Sequence, residues 1–249
     1  MKKIVYDFDG TLTPFPIPRL SILEKCGYEA GAMTPRFVSE VRKRMELEKI
    51  DLYTSFYKTM FDRMMENGIE LTDDNFSYWA SDIQYNKGVV QFLDNLDKNG
   101  VYNYVLSSGI KVYLEKTKIY PFAKGVYGTT FLYDKNNVAY DFDILMSDSK
   151  KVDGIKDILK NLHVENFDCS DLIYIGDGLT DLDAMRFVKE HGGTTIFVYQ
   201  NLENLDIDKV ENKDIVDFYF EADYSRDSEL TKCINKICCI ESEKVISKK

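Results

Sequence analysis

No stretch of this 249-residue chain stays apolar for the roughly 20 residues that a bilayer-crossing helix requires. Its five cysteines, Cys26, Cys169, Cys233, Cys238 and Cys239, are odd in number and contain no C-x-x-C pair. Neither a disulfide framework nor a zinc knuckle is expected, and the thiols should be reduced. Nor is there an excess of lysine and arginine, 32 against 42 acidic residues. The net charge is -10, which argues against a nucleic-acid partner, because such proteins must displace counterions from phosphates. There is no internal repeat and no low-complexity segment. The initial "MKK" resembles the start of a secretion signal, but Asp7 and Asp9 interrupt the apolar run, so the expected location is cytoplasmic, with no membrane partner. Proline is scarce, and three of the five prolines fall together in "PFPIPRL", which forbids a helix interior and marks a linker.

What is present is an ordinary globular composition, 44% hydrophobic and 30% charged, in a chain long enough for a large core plus a second module. After a first strand at Ile4 to Phe8, the spacing from about Ser21 to Ala80 is helical, with Val38, Val41 and Met45 and then Phe56, Met60 and Met64 three or four residues apart. From Gly88 onward helices and strands alternate. "GVVQFLDNLDKNG" reads as a helix closed by Gly100, "VYNYVL" as a strand ending at Ser107 and "KVYLEKTKIY" as a helix. A hairpin turns around Lys135-Asn136-Asn137. Next come a helix at Val152 to Leu162, the strand "DLIYIGD", a helix at Asp181 to Lys189 and the strand "TTIFVY". A short strand in "DFYFEADY" and a helix at Glu229 to Ile240 complete the pattern. It predicts an α/β fold, a mainly parallel sheet covered on both faces, with ligands bound at the carboxyl ends of its strands.

The first strand ends in "DFDGT". Alternation lets Asp7 and Asp9 point to one side while Phe8 packs the other way, and two such carboxylates call for a proton or a cation between them. Hard oxygen donors suit magnesium, which keeps positions free for water and phosphate. Gly10 allows close backbone approach, and Thr11 offers a hydroxyl and an amide to phosphate. The competing Asp9-Gly10 hairpin fails on Pro14, Pro16 and Pro18, which cannot supply a partner strand's amides. An EF-hand loop counted from Asp7 would place Leu12 at its glycine and Pro18 at its glutamate.

Two further strand ends and one helix start suit the same chemistry. Ser107, with Ser108 as the alternative, can hold a phosphate oxygen beside helix-terminal amides, although a plain N-cap would look the same. Lys150 and Lys151 open a helix where the macrodipole disfavours positive charge, so one of them, Lys151 by preference, is expected to neutralise carboxylate and phosphate charge. In "LIYIGDGLTDLDAM", Asp177 can complete the metal's carboxylate set, and Asp181 can ligate it or orient a bound water. Asp183 reads as a first-turn helix charge.

Together, DxDGT at Asp7 to Thr11, strand-terminal Ser107, Lys151 and GDGxTD from Gly176 to Asp181 resemble the haloacid dehalogenase-like superfamily. The likeness extends across nearly the whole chain, to "ADYSRDSEL". It implies a Rossmann-like core over residues 1–15 and 85–249, with an inserted helical C1-type cap at 16–84, as in the phosphoserine-phosphatase-like branch. It also implies a magnesium-dependent phosphatase acting on a small phosphorylated metabolite. Asp7 would be the nucleophile, Asp9 the acid and base, and Asp7, the Asp9 carbonyl and Asp177 the metal ligands. A mutase or phosphotransferase using the same chemistry, or a non-catalytic phosphate-binding protein, are the alternatives. Two departures make phosphoserine an unexpected substrate: no acid precedes Glu24 in "PFPIPRLSILEK", and Ser108-Gly109 stands where that branch has two glycines. Arg19 and Arg36 are candidate substrate contacts from the cap.

Overall fold

The computed structural model describes residues 1–14, 25–28, 34–81, 83–147, 150–201 and 213–240. Seven strands form one sheet in the order β4-β3-β2-β1-β5-β6-β7. They are β1 (Lys3–Tyr6), β2 (Tyr102–Ile110), β3 (Ala123–Tyr133), β4 (Ala139–Ile144), β5 (Leu172–Gly176), β6 (Thr194–Tyr199) and β7 (Phe218–Glu221). Every neighbouring pair is parallel except β3 with β4, which form the expected antiparallel hairpin. The central strand β1 lies between β2 and β5, with Tyr6 opposite Val105 on one side and Ile175 on the other. That register puts the ends of "DFDGT", "SSG" and "GDG" side by side.

Alternation along the strands feeds two cores. Ile4, Tyr6, Val105, Ile173, Ile175, Ile196 and Val198 face the helices α4 (Val89–Lys98) and α8 (Glu229–Ile237), which contribute Phe92, Leu93, Leu96, Leu230 and Ile234. Val5, Tyr104, Leu106, Leu172, Tyr174 and Phe197 face α6 (Lys151–Asn161) and α7 (Leu182–Glu190) through Ile155, Ile158, Leu159, Met185 and Val188. Strand residues buried on both faces are what a parallel sheet requires.

Between β1 and α4 the chain forms α1 (Pro35–Glu48), α2 (Leu52–Glu66) and α3 (Asp73–Ser81). Thr34 caps α1 by accepting from the Phe37 amide, and Asp51 caps α2 by accepting from the Thr54 amide. Their apolar face joins the first core. Phe61 and Phe76 meet Phe131 of the β3-β4 hairpin at ring distances of 6.0 and 6.2 Å, so the hairpin supports the helical segment. Of the helical pattern expected from about Ser21 to Ala80, residues 21–24 and 29–33 lie outside the described residues, as does Arg19. All five cysteines are free. Among the described residues, no helix is long and apolar enough to cross a membrane.

The structure differs from expectation after Leu106. Instead of ending at Ser107, β2 runs on to Ile110 through a register shift against β3, and only one helical turn follows, α5 (Lys111–Leu114). Side-chain donors hold the irregular carbonyl: Thr129 Oγ1 donates to the Ser108 oxygen at 2.9 Å and the Tyr57 hydroxyl at 2.6 Å. Ser107 and Ser108 are therefore not helix caps; α5 follows Ile110, which has no capping side chain. Similarly, α8 stops at Ile237, three residues short of the expected Ile240.

Candidate active site

The site forms where β1, β2 and β5 end. The Asp7 amide continues the parallel ladder by donating to the Ile175 carbonyl at 2.9 Å, which sets Asp7 in register with the start of the "GDG" turn. Phe8 turns into the first core and is 1% exposed, leaving Asp7 and Asp9 to line one cavity, as the alternation predicts. The chain then folds back tightly, with the Leu12 amide donating to the Phe8 carbonyl at 2.9 Å. Gly10 makes this turn at φ +84, and a Cβ there would lie 2.1 Å from Asp177 Oδ2. Only glycine fits.

Lys151 is the counter-charge. Although it opens α6, it is buried, and its Nζ sits 3.0 Å from Asp7 Oδ1 and 2.7 Å from Asp181 Oδ1. Burial alone would lower its pKa, but the Asp181 and Asp7 carboxylates prevail and hold it well above the usual lysine value. Neighbouring Lys150 is exposed. The unfavourable helix-start position of Lys151 is thus offset by two direct ion pairs.

Asp181 is fully buried and uses both oxygens. Oδ1 accepts from Lys151 and from the Tyr174 hydroxyl at 2.7 Å, while Oδ2 accepts from the amides of Asp177 and Gly178 at 3.2 and 3.1 Å. Its geometry is that of a positioning residue, aiming Lys151 and bracing the turn that presents Asp177. Asp183, in contrast, is a surface charge paired with Arg186 at 2.8 Å.

Asp7, Asp177 and Asp181 each place a carboxylate oxygen within 4.8 Å of the others. One ammonium cannot balance this much negative charge. Burial, with the Asp181 charge adding to it, pushes the Asp177 carboxyl up to about 7. Burial and the surrounding carboxylates also raise Asp7, against the pull of Lys151. An all-oxygen set carrying surplus charge fits a hard divalent cation. Asp7 and Asp177 have oxygens to give it; those of Asp181 are already committed.

Gly10 and Thr11 do not line the cavity. Thr11 is buried and its hydroxyl donates to Asp177 Oδ1 at 2.9 Å, while Asn86 and the Tyr224 hydroxyl hold its carbonyl at 2.8 and 3.1 Å. Gln200 similarly donates to the Gly10 carbonyl at 2.7 Å. The Thr11 hydroxyl thus braces Asp177, and the two carbonyl contacts fix the turn. Ser107 and Ser108 do line the cavity. Ser107 Oγ accepts from the Gly109 amide at 2.9 Å, which leaves its proton to donate. Ser108 Oγ is buried with no hydrogen-bond partner. Arg36 lies apart: it is 72% exposed and pairs with Glu40 at 3.4 Å. The sequence reading missed Tyr174 and Tyr57, each within an apolar pattern that explains the ring and hides the hydroxyl.

Residues 4–186 match the model of the haloacid dehalogenase-like hydrolases. The chain belongs to this family. No curated protein sequence matches it. Solved structures with the same fold include a phosphoserine phosphatase carrying a phospho-aspartyl intermediate analogue, with TM-score 0.60 at 17% identity over 94% of this chain and 98% of that one. A probable phosphoserine phosphatase from Vibrio cholerae gives 0.63 at 14% identity, over 98% of this chain and 68% of that one. Cytosolic 5'-nucleotidase IIIB bound to cytidine gives 0.56 at 17% identity over 95% and 86%. The dehalogenase-like core, its mostly parallel sheet and its inserted helices are therefore shared with enzymes whose names specify different phosphate esters.

Proposed function

We propose that this chain is a magnesium-dependent phosphomonoesterase that cleaves a small phosphorylated metabolite through an aspartyl-phosphate. The observation that carries this reading is the buried Asp7 carboxylate, which faces a cavity and is held 3.0 Å from Lys151 beside Asp177. Phosphoryl transfer depends mainly on such positioning and charge balance.

Asp7 attacks phosphorus, and the bond to the ester oxygen breaks as Asp9 donates its proton to the departing alcohol. Asp9 then takes a proton from water, whose oxygen attacks the phospho-aspartate, releasing phosphate and restoring Asp7. Ser107 donates to a phosphoryl oxygen, and Lys151 balances charge from the far side of Asp7. Magnesium, held by Asp7, Asp177 and the Asp9 carbonyl, would offset charge on the phosphoryl oxygens. Residues 16–84 act as the cap that excludes water, and free thiols fit a cytoplasmic setting.

Phosphate release from methyl phosphate, a simple phosphomonoester, in the presence of magnesium tests the reading. Activity should vanish in Asp7→Asn and in chelator, and return when metal is added back. Turnover that persists in Asp7→Asn rules out the proposed nucleophile, and a sugar phosphate converted to an isomeric ester with little free phosphate points to a mutase.

A further inference from the structure

The cavity above Asp7, about 360 Å³, has two chemically opposed halves. Its floor is polar and charged, with Asp7, Asp9, Ser107, Ser108, Lys151 and Asp177, and Gly178 and Thr180 of the turn after β5 complete the lining. Its roof is Val38 and Val41 from α1 with Leu52, Tyr53, Phe56 and Tyr57 from α2. Among the described residues, no charged side chain lines that roof. Of the four basic residues of α1, Arg36 pairs with Glu40 and Arg44 with Glu48 and Asp62, while Arg42 and Lys43 are exposed and line a separate surface cavity. Tyr57 offers the roof its ring alone, because its hydroxyl already donates to the Ser108 carbonyl. At the rim, Leu52 is 53% exposed, an apolar surface left open where a bound molecule would cover it.

We propose that the alcohol portion of the substrate is uncharged and apolar, the size of a single ring or short branched chain, rather than an amino acid, a polyol or a second phosphate. This rests on the phosphatase reading above. A carboxylate or ammonium pressed against Val38, Val41, Leu52, Phe56 and the Tyr57 ring would lose its water and gain no partner from them, with the Tyr53 hydroxyl the one polar group of the roof, whereas a ring or alkyl body is driven there by its own desolvation. The volume lies near the small end for ligand sites. Lys151 cannot serve a second anion, since Asp7 and Asp181 hold it at the floor.

The test compares benzyl phosphate, O-phosphoserine and glycerol 1-phosphate with methyl phosphate, an ester too small to reach the roof; all four release an alkoxide oxygen. The expected kcat/KM for benzyl phosphate exceeds those of phosphoserine and glycerol phosphate by about tenfold or more, the scale of burying one ring. Phe56→Ala should reduce the benzyl-to-phosphoserine ratio by roughly tenfold, and Phe56→Leu should retain most of it. Leu52→Arg should shift the ratio toward phosphoserine. Each ratio is internal to one protein sample, so a partly unfolded variant does not alter it. If methyl phosphate is hydrolysed but phosphoserine or glycerol phosphate equals benzyl phosphate, the substrate class is wrong and the phosphatase reading stands. An unchanged ratio in Phe56→Ala likewise overturns the role of the roof. Hydrolysis of none of the four overturns the phosphatase reading and this inference with it.

Discussion

The Tyr57 hydroxyl donates to the Ser108 carbonyl at 2.6 Å, joining α2 to the irregular end of β2 directly beside the site. Tyr57 is 4% exposed, and its ring also lines the cavity, so one side chain both shapes the roof and ties it to the floor. Removing only the oxygen separates those tasks. Tyr57→Phe should lower stability by about 1 kcal/mol, because Thr129 still serves the carbonyl. The corresponding fall in melting temperature is roughly 2–4 °C for a chain of this size. Thermal unfolding checks the magnitude; a change near zero would show that the link bears no stress in the folded protein.

Lys151 balances two buried carboxylates, so its loss should be felt in folding as well as in turnover. Lys151→Met strands Asp181, which has no exposure to water, and should destabilise the chain by about 3–5 kcal/mol. Pairing it with Asp181→Asn should cost less than the sum of the single changes, since the second removes the charge that the first left alone. Denaturant unfolding of the two single variants and the double variant measures this directly.

Metal affinity should follow pH with a definite sign. Without metal, the Asp177 carboxyl keeps its proton up to about 7, and a bound cation must displace it. Magnesium binding should therefore strengthen roughly tenfold per pH unit below that value and level off above it. Calorimetric titration at pH 6 and pH 8, in buffers of differing ionisation enthalpy, should show proton release at the lower pH that diminishes at the higher. A pH-independent affinity would place the cation away from Asp177.

Much of this site was legible in the residues because its chemistry breaks local rules. A strand that ends in two acids, and a helix that begins with two lysines, are both costly unless something compensates, and Asp7, Asp177 and Lys151 meet as that logic requires. Where a residue fitted two local explanations, the choice came from tertiary contacts. Ser107 looked like a cap or a phosphate ligand, but β2 continues past it because Tyr57 and Thr129 satisfy the displaced carbonyl from 51 and 21 residues away. Thr11 looked free for phosphate, yet register brings it against Asp177. Tyr174 and Phe56 each satisfy an apolar period, and periodicity reports burial without saying whether the neighbour is core or cavity.

The two positive-φ glycines that close the first motif and α4 allow a backbone effect to be separated from a site effect. Gly100 adopts φ +75 with nothing near its absent Cβ, so Gly100→Ala should cost about 1 kcal/mol of stability through conformation alone and leave turnover unchanged. Gly10 adopts a similar φ of +84, but any Cβ would collide with all three carboxyl atoms of Asp177. Gly10→Ala carries the same conformational cost and must also push Asp177 out of the position that Thr11 and the tight turn define. The expected result is a loss of magnesium affinity of at least about tenfold, the scale seen when support of a metal ligand is removed, with turnover falling alongside it. Measuring unfolding and metal titration on both variants decides the matter: if Gly10→Ala behaves like Gly100→Ala, the turn does not position the metal ligand.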